Sequence, residues 1–250
     1  MSGAQDAPAS SPTRLRDFYE TPSVPVRSGQ LRTGRLLVLL GGILRAADRP
    51  LRIVDVGCGD GMCTELTADL AGETGGHHVA GVDWAAAPLK QAAERGLTLV
   101  RGSLDTGLPF ASGSVDVVIL SEVVEHLVDP DGGLAELYRV LRPGGHLVLS
   151  TPNLAAWFNR GLLLAGVQPI FSEVSLRRVY GRPGEVVAGH LRLYTKRALV
   201  GFLADLGYTE IKVSGACYHD VPAPLRPLDR LFRLVPDLSA ILMTHARKPV

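Results

Sequence analysis

The segment IVDVGCGDGMCTEL, Ile53 to Leu66, constrains this chain more than any other. An apolar, β-branched run carrying one aspartate, Asp55, is halted by three glycines, Gly57, Gly59 and Gly61. Leu66 and Leu70 follow at helical spacing and Gly72 stops them. The pattern predicts a buried strand, a tight turn and a helix. Glycines at such a turn let backbone approach a ligand with no Cβ in the way, and the helix start offers N–H groups. A dinucleotide turn has glycine at its first, third and sixth positions, the last for a helix that carries a pyrophosphate. Here the sixth position is Met62. The turn therefore suits a ligand without a pyrophosphate.

The same alternation continues along the chain. HHVAGVDW (77–84), LTLVRGS (97–103), VDVVILSE (115–122) and HLVLSTP (146–152) read as further strands. An alanine-rich helix ends at Gly96, and a helix from about Asp131 to Leu141 is ended by Arg-Pro-Gly-Gly. Strands alternating with such helices predict an α/β fold, a Rossmann-like, mostly parallel sheet with helices on both faces. Right-handed crossovers put the strand C-termini on one rim, where ligands bind. Residues 153–190 break the rhythm with aromatics, arginines and glycines and read as an inserted helical lid. Thr195 then caps an amphipathic helix with Leu199, Phe202, Leu203 and Leu206 on one face and Gly207 at its end. TEIKVSGAC (209–217) and SAILMTHA (239–246) complete seven strands. The expected organisation is a disordered lead, 1–13, before a single domain, 14–250.

Bulk properties exclude several classes. A net charge of +1 over 250 residues gives no footprint of a strongly basic nucleic-acid binder. The longest apolar run, Leu36 to Leu44, is too short to cross a bilayer, and the first residues lack the pattern of a secretory signal. Three cysteines, Cys58, Cys63 and Cys217, make neither a disulfide framework nor a paired metal knuckle. A cytoplasmic location is expected, as a monomer or homodimer. Arginine outnumbers lysine 22 to 4, which reads as the codon bias of a GC-rich bacterial genome.

Four segments occur in a telling order: VDVGCGDG, GVDW, GSLDTGLPFASGSVDVVILSEVVEHLVDP and LRPGGHLVLSTPN. Together they resemble the class I S-adenosylmethionine-dependent methyltransferases, most of all the branch with the ubiquinone-biosynthesis O-methyltransferases. The likeness is strong over residues 50–153, and GHLRLYTKRALVGFLADLGY (189–208) resembles a later segment of that branch. It implies a seven-stranded sheet and S-adenosylmethionine as cofactor, with S-adenosylhomocysteine as product. It further implies that Asp55, Gly57, Cys58, Gly59 and Gly61 line the methionine part and that Asp83 holds the ribose. Leu104 and its neighbours would flank the adenine, and Ser121 and Glu122 would pass close to the methionyl group. The family often has aspartate where Ser103 stands. Serine can still bond the adenine amino group there, or Asp105 can substitute.

The residues support a similar reading. An aspartate ending the second strand accepts hydrogen bonds from ribose hydroxyls, and Trp84 after it can lie on an adenine face. Asp55 matches the charge of the methionine ammonium, directly or through water. Loop N–H groups, Tyr19, Arg27, Arg32 or Arg35 are donors for the carboxylate. Methyl transfer needs in-line alignment and, for a hydroxyl acceptor, a base. His126, in SEVVEHL at the ligand-binding rim, and His190, in AGHLRLYT, are the candidates, with His219 a third. His77 and His78 precede the second strand, at the other end, and read as structural. Trp157, Phe158, Phe171 and Tyr180 in the lid, with Tyr194 and Tyr19, suit a ring-containing or apolar small molecule. Arg177, Arg178 and Arg182 either are solvated or meet an anionic substrate. The sequence shows no carboxylate cluster fit for magnesium, so no metal is expected.

The expected function is transfer of a methyl group to a small-molecule hydroxyl in specialised or cell-surface biosynthesis. N- or C-methylation of a small molecule, or methylation of RNA or protein, are the alternatives. The fourth strand lacks the Asn/Asp-Pro-Pro-aromatic turn of enzymes that methylate nucleobase amino groups. A nicotinamide oxidoreductase is disfavoured by Met62, and a cofactor-binding protein without catalysis by the intact glycine turn.

Overall fold

The computed structural model describes residues 29–218 and 221–250. In chain order its elements are α1 (Gly29–Arg45), β1 (Arg52–Val56), α2 (Met62–Gly75), β2 (His78–Asp83), α3 (Ala86–Ala93), β3 (Leu99–Arg101) and β4 (Val115–Ser121). There follow α4 (Pro130–Val140), β5 (Leu141–Pro152), α5 (Trp157–Leu164), α6 (Lys196–Asp205), β6 (Thr209–Ala216), α7 (Arg226–Phe232) and β7 (Ile241–Arg247). Short 3₁₀ turns lie at Val124–His126 and Ala223–Leu225. The seven strands form one sheet in the order β3-β2-β1-β4-β5-β7-β6. β1 through β5 pair in parallel, and β7 is antiparallel to both β5 and β6.

Two cores sandwich the sheet, because a strand buried on both faces sends alternate side chains to opposite sides. Val118 and Leu120 of β4 join Leu134 and Leu137 of α4 and Leu199 and Leu203 of α6. Val117 and Ile119 join Leu36, Leu40 and Leu44 of α1 on the other face. Those three leucines, four apart, are at most 1% exposed, so α1 buries one continuous stripe. Each contributes about 1.5–3 kcal/mol by leaving water. α4 starts where Asp129 accepts from Gly132 N, and α6 where the Thr195 hydroxyl accepts from Ala198 N. Among the described residues no helix is long and apolar enough to cross a membrane.

Two expectations change. Strand β5 starts at Leu141, so Arg-Pro-Gly-Gly lies within its first half, with a register shift against β4 and Gly144 at φ +73°. Residues 153–190 hold a single helix, α5, and residues 165–195 form no further helix or strand beyond a bridge from Asn153 to Tyr194. Pro169, Pro183 and left-handed glycines at 166, 181 and 184 interrupt it. Residues 1–28, including Tyr19 and Arg27, and His219 lie outside the described residues.

Candidate active site at the sheet rim

The glycine turn leaves β1 at the C-terminal rim. Gly57, Gly59 and Gly61 have φ of 75°, 54° and 80°, backbone that only glycine adopts without strain. Their surroundings differ. A Cβ on Gly57 would lie 2.4 Å from Val123 Cγ2, and one on Gly61 would press on Leu97 and Ala92. A Cβ on Gly59 would meet nothing within 4 Å. Gly59 therefore marks the open side of the turn. Cys58 turns its sulfur into the sheet beneath Gly81 and presents backbone only.

Asp83, at the end of β2, holds this turn. Its carboxylate accepts from Gly59 N at 2.9 Å and from Ala85 N at 2.9 Å. A carboxylate has about four lone-pair sites, so two remain for ligand hydroxyls. Trp84 follows at half-buried depth, its carbonyl accepting from Arg101 Nε. Ser103 accepts from Asp105 N, so the serine shapes its own loop and Asp105 stands beside it. Leu104 packs against Gly133 at the edge of the core.

Asp55 is covered rather than open. It is 1% exposed and accepts from the Thr64 hydroxyl at 2.7 Å. Burial raises its pKa to about 6, opposed by Thr64 and reinforced by Asp83. The bond to Thr64 ties β1 to the first turn of α2 beneath the glycine turn.

Past β4 the chain turns sharply. Glu122 adopts φ 56°, left-handed for a non-glycine residue, a conformation that costs roughly 1–3 kcal/mol and collects at functional sites. Ser121 Oγ lies 3.1 Å from Ser150 Oγ, which donates to Glu122 Oε1 at 2.8 Å. Arg32 of α1 reaches the other Glu122 oxygen at 3.3 Å. The following 3₁₀ turn buries Glu125 completely. One Glu125 oxygen accepts from the Thr151 hydroxyl at 2.9 Å, and the other, Oε1, is buried with no hydrogen-bond partner. Burial, and then Glu122, push this carboxyl well above the usual carboxylate range.

His126 and His190 meet beside Glu125, with ring centroids 4.9 Å apart. His126 Nδ1 lies 3.1 Å from the Gly189 carbonyl, and His190 Nδ1 2.8 Å from the Phe171 carbonyl. A carbonyl only accepts, so each Nδ1 carries the proton and each Nε2 the lone pair. Burial, then His190, lowers the His126 pKa to about 4. His126 Nε2 lies 3.9 Å from Glu125 Oε1. One donor atom from each of Glu125, His126 and His190 falls within 4.8 Å of the others. Imidazole and carboxylate donors in this arrangement suit a divalent cation, a cluster the sequence alone does not bring together. In the sequence this centre is carried in part by Glu-x-x-Glu-His, residues 122–126, with Glu125 as its second glutamate.

Of the expected aromatic wall, Tyr180 is exposed, while Trp157, Phe158 and Phe171 pack against one another or the fold behind them. The Trp157 indole donates to Asp229 at 3.0 Å and stacks on Phe232. Phe158 packs edge-on against Trp157 and Phe171. Tyr194, expected at the substrate, is 7% exposed, stacks on Phe202 and belongs to the core. Its place is fixed by the helix that Thr195 starts. Arg182 is neither solvated nor aimed at an open site, since it pairs with Glu173 at 3.2 Å.

Comparison with known proteins agrees with this layout. Residues 54–149 match the family model described as a methyltransferase domain. A ubiquinone biosynthesis O-methyltransferase of Cronobacter sakazakii is 30% identical over 241 residues, covering 90% of this chain and 84% of the relative. Another of that name, from Mesorhizobium japonicum, is 33% identical over 156 residues, 61% of this chain and 59% of the relative. A crystal structure of a possible histamine N-methyltransferase of Thermotoga maritima aligns with a TM-score of 0.57 at 16% identity, covering 94% and 93% of the two chains, a likeness of fold alone. The turn without a pyrophosphate site, the strand order and these relatives lead to one assignment: the chain is an enzyme of the class I S-adenosylmethionine-dependent methyltransferase family, in the branch with the ubiquinone-biosynthesis O-methyltransferases.

Proposed function

We propose that this enzyme methylates a hydroxyl group of a small molecule, and that Glu125, His126 and His190 form the acceptor side of its site, holding a divalent cation. The observation that carries the reading is the convergence of two Nδ1-protonated imidazoles on a buried carboxylate at the strand rim. The relatives named as O-methyltransferases support oxygen as the acceptor atom.

S-adenosylmethionine supplies a methyl group already activated on a sulfonium. The protein's tasks are then to align, to exclude water and to handle the acceptor proton. On this reading the open backbone at Gly59 takes the methionine portion and Asp83 the ribose. Leu104 and Trp84 flank the adenine, with Ser103 or Asp105 at its amino group. Arg32, the one described member of the N-terminal donors that contacts the rim, meets the carboxylate, and Ser121 and Glu122 border the methyl group. A histidine with a pKa near 4 is neutral at pH 7. A cation held by Glu125, His126 and His190 would lower the pKa of an acceptor hydroxyl. It would also offset the charge of a glutamate that burial and Glu122 both oppose. Trp157 and Phe158 support this side from behind rather than facing the acceptor. A cytoplasmic, biosynthetic setting belongs to the same proposal.

The test is a screen of acceptor classes, phenols and catechols, sugars, amines and carbon acids, with methyl-labelled cofactor. Each is run in EDTA and again with Mg²⁺ or Mn²⁺ restored. Label on oxygen that depends on the cation and falls at least a hundredfold in His126→Ala and His190→Ala is expected. Label on nitrogen or carbon, or full rate in EDTA, overturns the acceptor or the cation part respectively. Methylation of RNA with steep salt dependence overturns the small-molecule reading.

A further inference from the structure

We propose that Glu173 is the positioning residue of the acceptor site: it clamps the strap 171–190 so that two of its carbonyls orient His126 and His190. The inference rests on the histidines acting as proposed above, but the clamp is a separate piece of geometry. Glu173 lies far from the rim in sequence and carries no catalytic chemistry of its own.

Its carboxylate gathers four donors. Oε1 accepts from Ala188 N at 2.6 Å and from Arg182 at 3.2 Å, and Oε2 accepts from Gly189 N at 2.7 Å and His190 N at 3.0 Å. Three consecutive N–H groups on one carboxylate fix the backbone at 188–190 as a rigid unit, through charge-assisted bonds. The Glu173 side chain is 2% exposed and that of Arg182 7%, so the ion pair is buried. Arg182 in turn donates to the carbonyls of Pro183 and Val186, which closes the strap on itself.

That unit contains the orienting carbonyls. Gly189, whose N–H the clamp holds, accepts at its carbonyl from His126 Nδ1. His190, the next clamped residue, bonds its own Nδ1 to the carbonyl of Phe171, two residues before Glu173. Phe171 is held at φ 77°, left-handed for a non-glycine residue. Such strain persists where the surroundings over-determine it. Here they include the Glu173 bonds on one side and the Phe158 and Tyr218 rings on the other. Both histidines are therefore tautomer-locked by one loop, and one carboxylate sets that loop. Outer groups of this kind typically change metal affinity or activity by about 10–100-fold.

The experiment compares wild type with Glu173→Gln, whose amide keeps the shape but sets an N–H₂ against backbone N–H groups. Arg182→Lys serves as a milder variant that keeps the carboxylate. Nitrogen-15 NMR of the histidine rings reads the tautomers directly, and Mn²⁺ titration followed by electron paramagnetic resonance reads the cluster. S-adenosylhomocysteine calorimetry checks the cofactor side. We expect Glu173→Gln to mix the two tautomers of His126 and His190 and to weaken Mn²⁺ about tenfold. Arg182→Lys should shift the same signals less, and both should bind S-adenosylhomocysteine within twofold of wild type. A Leu203→Ala control, destabilised in the core away from the strap, should leave the tautomers as in wild type. Unchanged Nδ1–H tautomers in Glu173→Gln overturn the clamp, as do tautomers that move equally in the control. If wild type binds no Mn²⁺, the cation part of the proposed function fails and the NMR result still decides the clamp.

Discussion

Among the described residues two histidine pairs have nearly equal ring separation, one at the strand rim and one within the sheet. His126 and His190 sit at the C-terminal rim with centroids 4.9 Å apart, and His146 and His245 bridge β5 and β7 at 5.1 Å. The second pair satisfies itself. His146 Nδ1 lies 2.9 Å from His245 Nε2, one ring donating and the other accepting, with Arg247 and Arg142 close enough to disfavour a charge. The first pair does not spend its lone pairs on each other. Backbone carbonyls take both Nδ1 protons, and a buried carboxylate stands beside the pair, 3.9 Å from His126 Nε2. Proximity of two histidines thus says little. Which nitrogen is taken, and by what, separates a packing device from a reactive centre.

The sharpest test of that contrast is substitution at each pair. His190→Ala and His126→Ala should each lower turnover by at least a hundredfold, with S-adenosylhomocysteine affinity within twofold of wild type. His146→Gln should leave turnover within twofold and change the melting temperature instead. Equal losses at the two pairs, measured with one acceptor and saturating cofactor, would erase the distinction.

Glu125 provides the next test, since the carboxylate that acts on His146 and His245, Glu210, is exposed rather than buried. Its Oε1 is buried without a partner, so the isolated protein carries a cost there. Glu125→Gln should hold or raise stability by about 1 kcal/mol in EDTA while Mn²⁺ affinity falls tenfold or more. A variant that loses stability in EDTA and keeps Mn²⁺ would make Glu125 a structural residue, like the lower pair.

The glycine turn shows the same difference between filled and open space. Gly57→Ala combines a φ of 75° with a 2.4 Å approach to Val123. It should cost about 3 kcal/mol, read as a drop of roughly 6–12 °C in melting temperature. Gly59→Ala adds a Cβ into open space and should cost only about 1 kcal/mol. Its larger effect should be on S-adenosylhomocysteine affinity, at least tenfold by calorimetry. If Gly59→Ala binds as wild type does, the open side of the turn is not where the cofactor lies.

How much of this was legible in the sequence follows the range of the forces. The strands, the glycine turn, Asp83 and the Thr195 cap are local patterns, where alternation and capping chemistry act within a few residues. His126 and His190 were legible as types at a rim, but their meeting depends on a contact between His126 and Gly189, 63 residues apart with α4, β5 and α5 between them. The strap was misread as helical. Proline and left-handed glycines divide it, and a buried ion pair organises it instead. The burial of Asp55 is not legible from its place at a strand end. Thr64, nine residues on, covers it. A glutamate in a short turn ordinarily faces water, and only tertiary packing, with Thr151 of β5 bonded to it, buries Glu125.

The smallest expected effect lies in pH dependence, and it comes from the structural pair. Burial lowers the pKa of His146 to about 4, with His245 and nearby arginines adding to the shift, and burial lowers His245 as well. A histidine whose pKa falls on folding binds fewer protons in the native state than in the unfolded one. Its contribution is present above about pH 6.5 and is lost as the pH falls toward 4. His146→Gln removes one of these titrations and leaves an amide to bond His245. Thermal unfolding in metal-free buffer should then show a shallower fall between pH 6.5 and 4.5, by about 2–4 °C relative to wild type. Partial exposure of the pair keeps the effect this small, since water screens the charge that burial opposes. A steeper fall in the variant would mean that the His146–His245 bond is itself lost in wild type before either ring takes a proton, and that the pair is not the self-satisfied unit its geometry describes.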